Sequence, residues 1–169
     1  MGSFSEVVLG FSFRLETPDH VLAAFSALAV PSPPDVRGRE APVLPDPLQV
    51  QDEDYENNWE PTDELQDPAE DPQPWRHDWA GWLSQSMSVS ITPSAHMVWS
   101  ETGRWTVSCR WGIKSWPEAI IPALRWLGPY LEGFDQRPIL LGYIEYTSEP
   151  RPTLLWLTPE GTIEGEDLN

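Results

Sequence analysis

Lysine is almost absent: Lys114 is the only one, beside nine arginines, so ten basic residues face 27 acidic ones. The resulting net charge of −17 excludes direct binding of DNA, RNA or an anionic membrane, all of which would be repelled. It predicts attraction to basic protein surfaces; plain solubility is the competing reading of the same charge. Cysteine occurs once, as Cys109. That rules out an internal disulfide framework and fits a reducing, cytoplasmic compartment. No run of 18 apolar residues exists, so no membrane-spanning helix is expected. The opening stretch from Met1 to Glu16 lacks a basic start and is interrupted by Glu6 and Arg14, so it reads as a first strand rather than a signal peptide. Glu6 also stands where a myristoylation motif wants serine or threonine.

Catalytic signatures are missing too. There is no glycine-rich phosphate loop, nucleophile elbow, zincin motif or Walker sequence. The three histidines, His20, His77 and His96, are far apart, and none has a second histidine or a cysteine at ligand spacing. Neither a metal nor a cofactor is expected, and the chain reads as a binding protein rather than an enzyme. The Asp52-Glu53-Asp54-Tyr55-Glu56 block lacks the glycine and the terminal glutamate of a calcium loop, with Asn57 and Asp63 in their places.

What is present is a patterned core. Val7, Leu9, Phe11, Phe13 and Leu15 alternate with Val8, Gly10, Ser12 and Arg14, the period of a half-buried strand. Thr17-Pro18-Asp19 should start a helix whose stripe is Val21, Phe25 and Leu28. Trp79, Trp82 and Leu83 are spaced for a short helix or turn. Met87, Val89 and Ile91 alternate as a short strand, and Met97 begins another. Glu101-Thr102-Gly103 marks a hairpin into the clearest strand, with Trp105, Val107, Cys109, Trp111 and Ile113 on one face. Ser115 and Glu118 form a capping box before a second helix striped by Ile120, Leu124, Leu127 and Leu131, with Pro122 near its start. Strands follow over 139–147 and 153–158, then Pro159-Glu160-Gly161 turns into a short extended piece. Hairpins of this kind imply an α+β fold: an antiparallel sheet of about five strands with two amphipathic helices on one face, a ferredoxin-like variant being the first expectation.

Residues 31–75 differ in kind. They hold ten of the nineteen prolines and thirteen acidic residues against two arginines, a net of −11. Such a segment buries too little apolar surface to offset its ordering entropy. The expected organisation is a single domain begun by residues 1–30, interrupted by an extended or disordered insertion at 31–75, resumed over 76–163 and ended by an acidic tail, 164–169.

The Trp126-Leu127-Gly128-Pro129-Tyr130 stretch, Leu141-Gly142-Tyr143-Ile144-Glu145-Tyr146, Glu149-Pro150, Thr153-Leu154-Leu155 and Thr17-Pro18-Asp19-His20-Val21-Leu22 resemble a group of small actinobacterial and actinobacteriophage proteins. The resemblance spans most of the chain outside residues 31–75 as short phrases. It implies no activity, and no functional residue is carried over from it.

The candidate chemistry is therefore contact chemistry. Cys109, between Val107 and Trp111, reads as a buried inert thiol, since a nucleophile needs an electropositive, partly exposed site. A Cys109–His96 dyad is conceivable only if their strands pair so as to join them. Glu145 shares an alternation with Ile139, Leu141 and Tyr143; an edge position or an arginine partner is favoured over burial in the core. Trp105 and Trp111 fit the core. Tryptophans among carboxylates make good anchors, so the expected partner-binding set is Asp52, Glu53, Asp54, Tyr55, Glu56, Trp59, Trp75 and Trp79. The expected function is an acidic, inhibitor-like or immunity-type protein that occludes a basic surface on a partner, such as a nucleic-acid-acting enzyme or a toxin. The alternatives are a small-ligand domain or enzyme with a tryptophan-lined pocket, and a structural phage or host protein. Replacing residues 35–72 by a short Gly/Ser linker should leave one cooperative thermal transition; its loss would show that the insertion packs on the core.

Overall fold

The computed structural model describes residues 4–30, 41–46, 74–84, 92–114, 120–146 and 151–167. One antiparallel sheet carries six strands: β1 (Phe4–Ser12), β2 (Ser94–Trp99), β3 (Trp105–Lys114), β4 (Ile139–Tyr146), β5 (Thr153–Leu157) and β6 (Ile163–Asp167). Their spatial order is β2-β3-β1-β4-β5-β6. Among the described residues three α-helices accompany them: α1 (Asp19–Phe25), α2 (Trp79–Ser84) and α3 (Ile120–Leu127). The α+β class and the antiparallel sheet thus stand; among the described residues there are six strands where about five were expected, and the short helix or turn expected at Trp79 to Leu83 is α2.

β1 lies between β3 and β4, so its inward residues Val7, Leu9, Phe11 and the following Phe13 are buried. β3 contributes Trp105, Val107, Cys109, Trp111 and Ile113 to the same side. α1 turns Val21, Phe25 and the following Leu28 inward, and α3 turns Ile120, Leu124, Leu127 and then Leu131. These stripes have the helical period, and burying them against one face of the sheet is what holds the helices in place. The other face of the sheet is covered by no described element, as antiparallel sheets allow.

Several local expectations change. Thr17 does not cap α1. Its hydroxyl donates to the Arg14 carbonyl at 2.8 Å, and Pro18 holds the cap position. Leu15 leaves the strand pattern in a turn and is 61% exposed. α2 is capped by Asp78, whose Oδ1 accepts from Gly81 N at 2.8 Å. Pro122 sits in the first turn of α3, where its missing N–H has no helical partner to lose. The acidic stretch expected to fray as a tail is instead β6, with Leu157↔Ile163 through Thr153↔Asp167 in register. Within the supposed insertion, Leu44 packs against the core and Trp75 belongs to it. The strand expected over Met87, Val89 and Ile91 and the capping box at Ser115 and Glu118 lie outside the described residues.

β4 departs from strict alternation. Leu140 pairs with Trp156, but Gly142 pairs with Leu155, so Leu141 is an extra residue, a β-bulge. Leu141 and Ile144 are both buried, and beyond the bulge Tyr143 and Glu145 point to the open face instead of the core. Gly142 permits this: its φ is +152°, and a Cβ there would fall 1.9 Å from the Val8 carbonyl oxygen. Gly142→Ala should therefore cost about 3 kcal/mol in urea unfolding, through forced separation of β1 and β4. Gly161→Ala, at φ +76° with no atom within 4 Å, should cost only about 1 kcal/mol.

Candidate functional site

The residues expected to bind a partner divide into two groups. Asp52, Glu53, Asp54, Tyr55, Glu56 and Trp59 lie outside the described residues. Trp75 and Trp79 are placed, and they are not surface anchors: they are 4% and 0% exposed. The Trp79 ring stacks on Phe25 with centroids 4.7 Å apart and meets Trp82 edge-on at 5.1 Å. Trp82 in turn meets Trp111 of β3 at 5.5 Å, and Trp126 of α3 lies 5.4 Å from Trp75. These indoles are the packing between α1, α2, α3 and the sheet. A partner cannot reach Trp75 or Trp79 without unfolding that layer, because a stacked, fully enclosed ring has no free surface to offer. The spacing of Trp79, Trp82 and Leu83 already carried this signal, for it is the spacing of a buried helix face.

Other candidates resolve as follows. Cys109 is buried on the inner face, whereas His96 is exposed and pairs across to Ser108, so the two point to opposite faces and form no dyad. Burial pushes the Cys109 thiol from 9.0 up to about 12, with the Leu9 backbone hydrogen bond pulling weakly the other way. His20 makes an edge contact with Tyr130, centroids 6.4 Å apart. Among the described residues no three His, Cys, Asp or Glu side chains gather as a metal-binding group.

A shallow cleft of about 250 Å³ opens at one end of the sheet, lined in part by Arg14, Leu15, Glu16, Arg104, Glu132 and Asp135. Arg14 donates from Nε to the Leu131 carbonyl at 2.8 Å and from Nη2 to Asp135 at 2.7 Å. Arg104 Nε stands 3.6 Å from Glu132 and Nη1 donates to the Gly103 carbonyl at 3.0 Å. Three carboxylates thus face two guanidinium groups, an arrangement that ties both the β1 exit and the β2–β3 hairpin to residues 131–135 and leaves no surplus cation for an anionic ligand. No tryptophan lines this cleft.

The open face of the sheet is the other feature. Register places Arg110, Val8, Tyr143, Leu154 and Glu166 side by side across β3, β1, β4, β5 and β6. One step along the strands, Leu140, Trp156 and Glu164 are neighbours across β4, β5 and β6. Leu140 is 46% exposed, and Val8, Tyr143, Leu154 and Trp156 are half-buried. Arg110 clamps Glu6 as a fork, with Nε–Oε1 at 2.7 Å and Nη2–Oε2 at 2.8 Å. Those hydrogen bonds and the Glu6 charge, with smaller help from Tyr143 and Glu145, raise the Arg110 pKa above its ordinary value. Glu145 lies opposite Glu6 in the register, so a second carboxylate stands next to the ion pair. The result is an apolar strip bordered by acids. The signal for it was the run Leu154-Leu155-Trp156-Leu157, apolar at consecutive positions, which puts apolar side chains on both faces of β5.

No protein-family model, curated protein or solved structure matches the chain.

The thiol gives a test of the inner face. Because folding raises the Cys109 pKa, its contribution to stability is whole below about pH 9 and is lost as pH climbs toward 12. Cys109→Ala should flatten that part of the stability–pH curve, and native Cys109 should resist alkylation at pH 8 until the chain is unfolded; brisk native labelling would contradict the burial.

Proposed function

We propose that this chain is an acidic protein-binding protein, inhibitor-like in character, that covers a basic surface of a protein partner. The observation that supports this most directly is the charge of its open face. Its one described guanidinium, Arg110, is already clamped by Glu6, and Glu145 stands beside the pair. Such a face repels phosphate backbones and anionic lipid and complements lysine- and arginine-rich surfaces. The net −11 of residues 31–75 adds long-range attraction of the same sign. Toxin-immunity and anti-defence proteins share this physical type, by analogy of charge alone. In the same reading, the β2-β3-β1-β4 order with helices after β1 and β3 is a ferredoxin-like variant extended by the β5–β6 hairpin. A small-ligand reading gains nothing from the Arg14–Arg104 cleft, whose cations are held by their own carboxylates.

The test begins with capture of a partner from a host lysate at low and at high salt. Neutralising Asp52, Glu53, Asp54 and Glu56 together to Asn and Gln should slow association about tenfold while leaving dissociation nearly unchanged, since exposed charges act before contact. Raising salt from about 0.05 to 0.5 M should do the same by screening. A partner whose association ignores both changes would defeat the reading.

A further inference from the structure

We propose that the apolar strip Leu140–Tyr143–Leu154–Trp156 on the open face is the contact surface for a basic amphipathic helix of a protein partner. This rests on the reading of the chain as an acidic binder and adds where, and with what chemistry, contact is made. The argument begins with the sheet. Its inner face is closed by α1, α2 and α3 through buried aromatic and aliphatic stripes, whereas no described element covers the outer one. An outer face serving only solubility would carry polar residues at each outward position. β3 and the end of β1 follow that rule with Thr106, Ser108, Arg110 and Ser12. β4 and β5 break it with Leu140, Tyr143, Leu154 and Trp156 as cross-strand neighbours. An apolar centre ringed by charge is the anatomy of a protein interface, with the aromatic residues as its anchors.

The rim decides the occupant. Glu164 of β6 borders the strip on one side, and Glu145, beyond Tyr143 on β4, borders one end with Glu6 next to it in the register. A second copy of this chain would bring like charges onto that rim, and nucleic acid would bring phosphates. A helix with an apolar stripe flanked by arginine or lysine satisfies both the centre and the rim. Helices are also the elements that pack on sheet faces, as α1 to α3 do on the opposite side. Addition of a strand at an edge is the weaker fit: β2 already accepts a hydrogen bond at Met97 O from Val30 N, 3.0 Å away, and acidic β6 is guarded in the way edge strands usually are.

The probe is a synthetic helix of about five turns with a leucine stripe flanked by arginines. Its control is a scrambled peptide of identical composition. At low salt the striped helix should bind the full-length protein at least about tenfold more tightly than the scramble. Leu140→Ser and Trp156→Gln should each erase that preference while keeping the weak, salt-sensitive attraction common to both peptides. Oxidative footprinting should show Tyr143, Leu154 and Trp156 protected only by the striped helix. Leu140, nearly half exposed, gives a variant whose folding is not at stake. Equal affinity for the two peptides, or a preference surviving both substitutions, would overturn the proposed surface while leaving the acidic-binder reading in place. Absence of any salt-dependent binding to either peptide would remove both. Concentration-dependent dimerisation abolished by the same two substitutions would make the strip a self-interface and also refute the proposal.

Discussion

The backbone of β4 at Gly142 comes so close to β1 that no side chain fits between them, and most of what distinguishes the two faces of the sheet follows from that approach. A Cβ at Gly142 would overlap the Val8 carbonyl. The bulge made possible there resets the alternation of β4 by one residue. At it, Leu141 points into the core; after it, Ile144 does, and Tyr143 and Glu145 emerge on the outside. Without the bulge, a tyrosine and a glutamate would be driven against Leu9 and Leu155, with a carboxylate in an apolar interior at a cost of several kcal/mol. One glycine thus settles both the integrity of the core and the composition of the exposed surface.

The core itself is unusually aromatic. Phe11, Phe13 and Phe25 form a triad of edge contacts with centroids 5.0–6.0 Å apart, and the Trp75, Trp79, Trp82 and Trp126 rings continue it toward Trp111. Such pairs add roughly 0.5–1.5 kcal/mol each beyond the area they bury. They explain how helices of only seven, six and eight residues, too short to be stable alone, are held on the sheet. The Trp79 Nε1 has no hydrogen-bond partner among the described residues.

Much of this was legible in the sequence. The alternation of Val7 to Phe13 and of Trp105 to Ile113, the stripes of α1 and α3, and the glycine turn before Arg104 each state a local preference that the tertiary structure keeps. Three things were not legible, each for a physical reason. The bulge is invisible because a glycine in a strand signals neither which residue is extra nor which face it occupies. Trp75 and Trp79 were misassigned because composition places them beside carboxylates in sequence, while burial is decided by what α1 and α3 present to them in space. The pairing of β6 was hidden because its charges suggest solvent, yet an edge strand satisfies its backbone on one side and can leave a carboxylate such as that of Glu164 exposed.

That last point bears on function. Acidic residues on a sheet edge protect against unwanted pairing, and the same is true of many soluble proteins. Protection alone would not require Leu154 and Trp156 to face outward beside Glu164, because outward apolar residues work against it. The two features conflict if the outer face is merely solvated. They agree if the carboxylates choose the charge of what approaches and the apolar centre holds it once dry. Charge then sets the rate of encounter and contact area the rate of escape. On the proposed reading, this division would let one strongly anionic chain repel most of its surroundings and still hold a basic partner.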